Sequence, residues 1–390
     1  MTIITTHTQL DNLCQEIEND GRLAIDLEFI PELTYKPQLC LVQVATNNAA
    51  YIVDPLALAN LSALWELVAD PEILVVAHAG DQDMNLIWRY SGLVPKNIFD
   101  IQLAAGFAGL GYPIGYGKLV GQMTGQFLAK TESYTDWLAR PLSKAQIQYA
   151  LEDVAHVLPI YDKLCQQLQQ MNRLSWVQEE CEYFSRVDSY QKDQTLQFTR
   201  VKGASSLSRR GLGVLRSLWN WRDNEASKIN KPSRYILGDN IMLELSKHPP
   251  KSIADIQRIR TVRPDHIKHH GQNILDATHE AMSLPESELP IIPSYKASTK
   301  EETLQADVLA LVLKLLCQNA NIAPELVATR DEIQTLVRAW SENKVEKKDL
   351  PILSGWRREL AGQKLYEILQ GATINLSVSK QDEPVQLQIS

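Results

Sequence analysis

The sequence predicts an α/β domain with a mixed sheet, followed by two small all-helical units. Strand-length apolar runs alternate with amphipathic helical stretches through the first half of the chain. The connections between the first three strands are too short for a parallel crossover, so these strands pair antiparallel. Beyond about residue 172 only helical periodicity remains, and the proline-bearing run LPESELPIIPSYKAS, residues 284–298, divides it in two.

The elements follow in order. Thr8 and Asp11 predict a capping box for a helix reaching Glu18. Strands are expected at 22–29, 38–45 and 49–54, then a helix at 61–68, a buried strand at 73–77 and a helix at 79–89. A short strand at 97–100 leads into helical turns at 101–109 and 115–122. Residues 142–168 read as a long helical stretch that Pro159 interrupts. A linking helix at 171–190 closes a first domain of residues 1–195, and 196–210 reads as a linker. Helices at 212–229, 235–246, 251–258 and 265–282 fill a unit at 211–290. Helices at 300–319, 328–339 and 355–370 fill another at 291–375, and 376–390 reads as a mobile tail.

Charge separates the same regions. The 390 residues carry a net charge of -8, but residues 1–199 hold 12 basic and 24 acidic residues, whereas 200–270 hold 15 and 6. An acidic first half suits metal, and a basic middle suits phosphate. Arg209, Arg210, Arg216, Lys228, Lys231 and Arg234 are the expected contacts to a nucleic-acid backbone. The five scattered cysteines form no CxxC and read as core fillers in a reducing compartment. The first residues lack a secretory pattern and no window is long and apolar enough to span a membrane, so the expectation is a cytoplasmic protein. Nothing in the chain demands an obligate protein partner.

The chemistry sits on a few acids. Asp26 and Glu28, two apart on a strand, leave the same face, and no Lys or Arg lies between Ala24 and Lys36 to offset them. Desolvating two carboxylates calls for a positive charge, which a divalent cation supplies. Asp83 falls in the first turns of the helix after a buried strand, and Tyr149 and Asp153, four apart, share a helix face. Each has an ordinary explanation when taken singly: a solvent-facing edge, a dipole-stabilising acid, a surface pair. Together they are the groups needed to hold two divalent ions against a phosphodiester.

In this order the motifs resemble those of ribonuclease D, in the DEDDy group of 3′–5′ exonucleases. The first is Asp26-Leu27-Glu28-Phe29, continued by Thr34-Tyr35, Pro37, Leu39 and Gln43. The second is His78-Ala79-Gly80 leading to Asp83, then Phe99-Asp100 and Gln102. The third is Tyr134, Asp136-Trp137-Leu138-Ala139-Arg140-Pro141-Leu142 followed by Tyr149 and Asp153. The resemblance implies a ribonuclease H-like exonuclease domain followed by two HRDC-type helical domains, the first carried by Leu212-Gly213-Val214-Leu215, Trp221-Arg222 and Tyr235-Ile236-Leu237. The second and more divergent one is carried by Gly355-Trp356-Arg357 and Glu359. It implies hydrolysis of RNA 3′ ends to 5′-nucleoside monophosphates with two Mg²⁺ or Mn²⁺ ions, and tRNA precursors with 3′ extensions as substrates. Asp26 would bridge the ions, Glu28 and Asp153 would complete the water-activating site, Asp83 would hold the second ion, and Tyr149 would orient the water. His78 and Gln102 are the expected supporting or substrate contacts. The chain departs from the family at Leu27, where Thr is usual, and at Ile30, where Arg is common; neither is a metal ligand. A DNA exonuclease and a non-catalytic nucleic-acid scaffold are the alternatives.

Overall fold

Six strands, β1 (Ile3–Ile4), β2 (Arg22–Ile30), β3 (Gln38–Ala45), β4 (Ala50–Val53), β5 (Leu74–Ala77) and β6 (Ile98–Asp100), form one sheet in the order β1-β4-β3-β2-β5-β6. β2 pairs antiparallel with β3, and β3 with β4, while β5 and β6 continue parallel to β2, so the sheet is mixed as expected. The computed structural model describes residues 3–128, 135–191, 197–259, 261–262, 264–291, 298–345, 350–378 and 385–390. Tyr134 of the third motif lies outside them.

Helices α1 (His7–Asp20), α2 (Ser62–Val68), α3 (Asp81–Ser91), α4 (Ile101–Phe107), α5 (Tyr116–Thr124), α6 (Lys144–Ala155), α7 (Val157–Gln170) and α8 (Leu174–Cys181) accompany the sheet. α1 starts earlier than the sequence predicts. Thr6, not Thr8, is the cap, and Gln9 returns the bond to the Thr6 amide, because the amide acceptor of Gln9 serves the reciprocal box as Glu would. The interruption at Pro159 falls just before it: α6 ends at Ala155 and α7 restarts at Val157, which leaves Pro159 in a first turn where a missing N–H is harmless.

After a short helix α9 (Val187–Tyr190) the chain leaves this core and builds a second one. It is formed by α10 (Arg209–Lys228), α11 (Ser233–Ile236), α12 (Asp239–Lys247), α13 (Ile253–Gln257) and α14 (Pro264–Ser283). The stretch expected as a bare linker contributes to it, for Phe198, Val201 and Ala204 are buried there. The chain then returns. α15 (Lys300–Ala320), α16 (Pro324–Val327), α17 (Arg330–Ser341) and α18 (Gly355–Arg357), the last running through a π-helical turn into α19 (Gln363–Leu369), bury their apolar faces in the same core as the sheet. Trp356 stacks on Trp176 of α8 at 5.4 Å and meets the edge of Phe107 of α4 at 4.8 Å. Glu180 of α8 accepts from Trp356 Nε1 at 2.8 Å and from the Arg357 guanidinium. The tail, read in sequence as mobile, contains β8 (Val385–Ile389), which pairs antiparallel with β7 (Ile374–Val378), and Ile374, Leu387 and Ile389 pack on the core.

Candidate active site

The sheet presents the first two acids at its centre. Asp26 and Glu28 lie on β2, flanked on both sides by paired strands, and the register irregularity between Glu28 and Phe29 bends the strand just past them. Leu27 between them turns to the other side and is buried in the main core, so the departure from Thr spares the acidic face.

Asp83 is placed by a turn with an unusual backbone. Ala79 adopts φ +58°, and a Cβ on Gly80 would lie 2.8 Å from that of Ala77, so only glycine fits there. The buried Asp100 carboxylate holds this turn by accepting from the Ala79, Gly80 and Gln102 amides at 3.1, 3.0 and 2.7 Å. α3 therefore starts with Asp81 and Asp83 in its first turn, where the helix dipole favours them. His78 Nε2 and Gln102 Nε2 both lie within hydrogen-bond distance of the Ile114 carbonyl, at 2.9 and 3.0 Å. These two nitrogens are committed to the main chain just before α5.

The third element is α6. Ser143 and Gln146 form its capping box, and Gln146 Nε2 also donates to Thr135 Oγ1 and the Asp136 carbonyl. Arg140 forks onto Asp54 at 2.7 and 2.9 Å and reaches the Cys40 and Trp137 carbonyls, which pins the entry to α6 on the sheet. α6 then lays Tyr149 against Trp137 at 6.0 Å, with the Tyr149 hydroxyl bonded to Asp153.

Asp26, Glu28 and Asp153 offer carboxylate oxygens that all lie within 4.8 Å of one another. Asp83 is not in that group of three, but it is buried and feels the charges of Asp26 and Glu28. Burial pushes Asp26 up to about 7. Burial, with Asp26 and Asp153 beside it, pushes Glu28 to about 8, and burial with Asp26 pushes Asp153 to about 8 against the Tyr149 hydrogen bond. Asp83 is raised well above its ordinary value by burial and by four neighbouring carboxylates. The charges raising these groups are all negative, so this donor set fits divalent cations. With pKa values raised on folding, the metal-free fold binds more protons than the unfolded chain. It therefore loses stability as the pH climbs from the ordinary 3.8–4.5 range toward about 8.

A 3′–5′ exonuclease family pattern matches residues 1–169, and an HRDC domain pattern matches residues 211–278. Ribonuclease D of Bartonella henselae is 32% identical over 95% of this chain and 90% of its own length. Ribonuclease D of Sphingobium indicum is 35% identical over 95% and 94%. The chain belongs to the ribonuclease D family. The crystal structure of Escherichia coli RNase D, described as an exoribonuclease involved in structured RNA processing, superposes with a TM-score of 0.83. It is 28% identical and covers 95% of this chain and 98% of that one. The catalytic core of RRP6 from Trypanosoma brucei superposes at 0.56 with 25% identity, over 73% of this chain and 80% of that one.

The HRDC pattern covers much of the basic helical unit, and there three of the six expected backbone contacts have hydrogen-bond partners within the protein. Arg209 donates to the Glu286 carbonyl at 2.8 Å, Arg216 to that of Glu288 at 2.9 Å, and Arg210 to the Leu284 carbonyl. These three tie α10 to the segment that follows α14, and Arg210 also lies near the Ala281 and Met282 carbonyls, which that helix's last turn leaves without donors. Lys228, Lys231 and Arg234 stay exposed. Arg234 also reaches Glu32 at 3.5 Å, and Asp223 accepts from Tyr35 at 2.7 Å, so the helical unit touches the loop directly after β2. No sequence signal pointed to that pairing, for Tyr35 and Asp223 are 188 residues apart. Among the described residues, no helix is long and apolar enough to cross a membrane.

Proposed function

We propose that this 3′–5′ exoribonuclease uses Asp26, Glu28, Asp83 and Asp153 to hold two divalent cations, Mg²⁺ or Mn²⁺, and acts on tRNA precursors with 3′ extensions. The observation that carries the reading is the convergence of three carboxylates within 4.8 Å, from β2 and α6, where the neighbouring charges that act on them are carboxylates. Asp26 would serve both ions, Glu28 and Asp153 would hold one of them with it, and Asp83 on α3 would hold the other. Such ions lower the pKa of an attacking water and stabilise the departing 3′ oxygen. Tyr149, held between Trp137 and Asp153, orients the water. Residues 1–195 carry the exonuclease domain and 211–290 the HRDC domain, and residues 291–375 are a second, divergent HRDC-like helical set that shares the exonuclease core instead of building its own.

The test is single-turnover release of nucleotide from a 3′-labelled RNA, beside a deoxyribo-oligomer of the same sequence, with Mg²⁺ or Mn²⁺ titrated after EDTA treatment. Release of 5′-monophosphates from RNA that needs added metal is expected. A preference for the deoxyribose strand would remove the assignment to RNA, and EDTA-resistant release would remove the metals. Tyr149→Phe keeps the ring against Trp137 and loses the hydroxyl, so turnover is expected to fall about 10²–10⁴-fold with Mn²⁺ affinity little changed. Wild-type turnover in that variant would end the water-orienting role.

The exposed Lys228, Lys231 and Arg234 hold the RNA backbone. Replacing all three with Ala is expected to weaken binding of a full precursor more than that of a trinucleotide. The slope of log affinity against log salt should flatten by up to about 2. Arg209, Arg210 and Arg216 replaced together lower the melting midpoint instead. Equal loss on both substrates from the first set would show that these cations do not track the RNA.

A further inference from the structure

The acidic centre has a neighbour whose polar atoms are unaccounted for. Gln43 lies directly opposite Asp26 in the β2–β3 register. Residues so paired project from the same face, with Cβ atoms about 4.5–5.5 Å apart. Gln43 is 0% exposed, on the part of the sheet that α6 covers with Tyr149 and Asp153. Its own flank is apolar: Ile52 pairs with it on β4, and Leu41 is the next residue of its strand on the same face. Neither Nε2 nor Oε1 has a hydrogen-bond partner among the described residues. A buried amide with both ends unsatisfied destabilises a fold, and an apolar side chain of similar shape would not. The amide therefore has no purpose in holding the sheet together.

We propose that Gln43 is a positioning residue of the acidic centre, whose amide hydrogen-bonds to water carried in by a divalent ion at Asp26, Glu28 and Asp153. The proposal rests on the metal reading above and adds a neutral residue to it. An amide offers both a donor and an acceptor, and an ion such as Mg²⁺ keeps several of its waters when carboxylates bind it. A fifth carboxylate at this position would deepen the repulsion among acids already pushed toward neutrality, whereas an amide orients water at no cost in charge.

Gln43→Met, close in shape and without hydrogen-bonding capacity, separates this role from a structural one. Mn²⁺ is titrated calorimetrically into the full chain, and melting is followed in EDTA and in Mn²⁺. Mn²⁺ affinity is expected to fall about 10–100-fold, as for other groups that orient a metal's ligands. The midpoint in EDTA is expected to stay level or rise by a few degrees. Unchanged Mn²⁺ affinity overturns the proposal, whether or not the EDTA midpoint moves. If the Met variant does not fold, Gln43→Leu repeats the measurement; if neither folds, the side chain is structural and the proposal falls. The metal reading fails separately: in that case wild type and Asp26→Ala give the same Mn²⁺ titration.

Discussion

Asp26→Ala is expected to bring single-turnover nucleotide release to background while RNA binding through the helical unit persists. Asp26 is the member of the acidic set whose charge acts on Glu28, Asp83 and Asp153 alike, so it lies close to all three. Its loss therefore exceeds the roughly 10–100-fold effect of removing a group that only orients a ligand. Asp26→Asn, which keeps the shape, carries a second signature. It removes a buried charge that the metal-free fold tolerates poorly above about pH 7, so its midpoint in EDTA at pH 8 should rise as activity vanishes. Near-normal cleavage by folded Asp26→Ala in EDTA would refute the two-metal reading.

A chain ending at residue 291 is expected not to fold its exonuclease core, residues 1–195. It would expose the faces of Phe107 and Trp176 that Trp356 covers, and leave Glu180 without Trp356 Nε1 and Arg357. The Leu326 side chain fills the space beside Gly106, where a Cβ would meet it at 2.5 Å, and Arg173 would lose the Ala320 carbonyl. Each large apolar side chain so exposed costs about 1.5–3 kcal/mol. The two so exposed, Phe107 and Trp176, together cost about 3–6 kcal/mol, a large share of a net stability of about 5–15 kcal/mol. Far-UV circular dichroism and thermal melting check this, with residues 197–291 as a separate fragment expected to melt cooperatively on their own core. A cooperative melt of 1–291 near the full-length midpoint would show that the shared core is dispensable.

The sheet and the acidic site were legible because local pattern carries them. A mostly apolar run between Gly21 and Pro31 marked β2, its two-residue period put Asp26 beside Glu28, and helical spacing put Tyr149 with Asp153. Other features depend on partners that a local pattern does not single out. Thr6 instead of Thr8 as the cap follows from Gln9, which the Thr8–Asp11 reading passed over. Arg209, Arg210 and Arg216 read as a phosphate track by charge count, but a count does not show that carbonyls at 282–289 lie within their reach. The same holds for His78 and Gln102, whose shared target is the Ile114 backbone, and main-chain acceptors carry no residue signature. Gln43 stood in the first motif without a role, since an amide in a strand looks the same in sequence whether its atoms are paired or not.

The return of the chain to its first core also sets a timetable for synthesis. When residue 190 has left the ribosome, every strand of the main sheet exists, yet the surface of α4 and α8 still waits for Trp356. At about 5–20 residues per second, the 166 residues in between take on the order of ten to thirty seconds. During that interval the nascent sheet carries an uncovered aromatic patch at Phe107 and Trp176. The helical unit can meanwhile complete its own core, which contains residues only from 198 onward. The domain that carries the acids begins first on the ribosome and closes last.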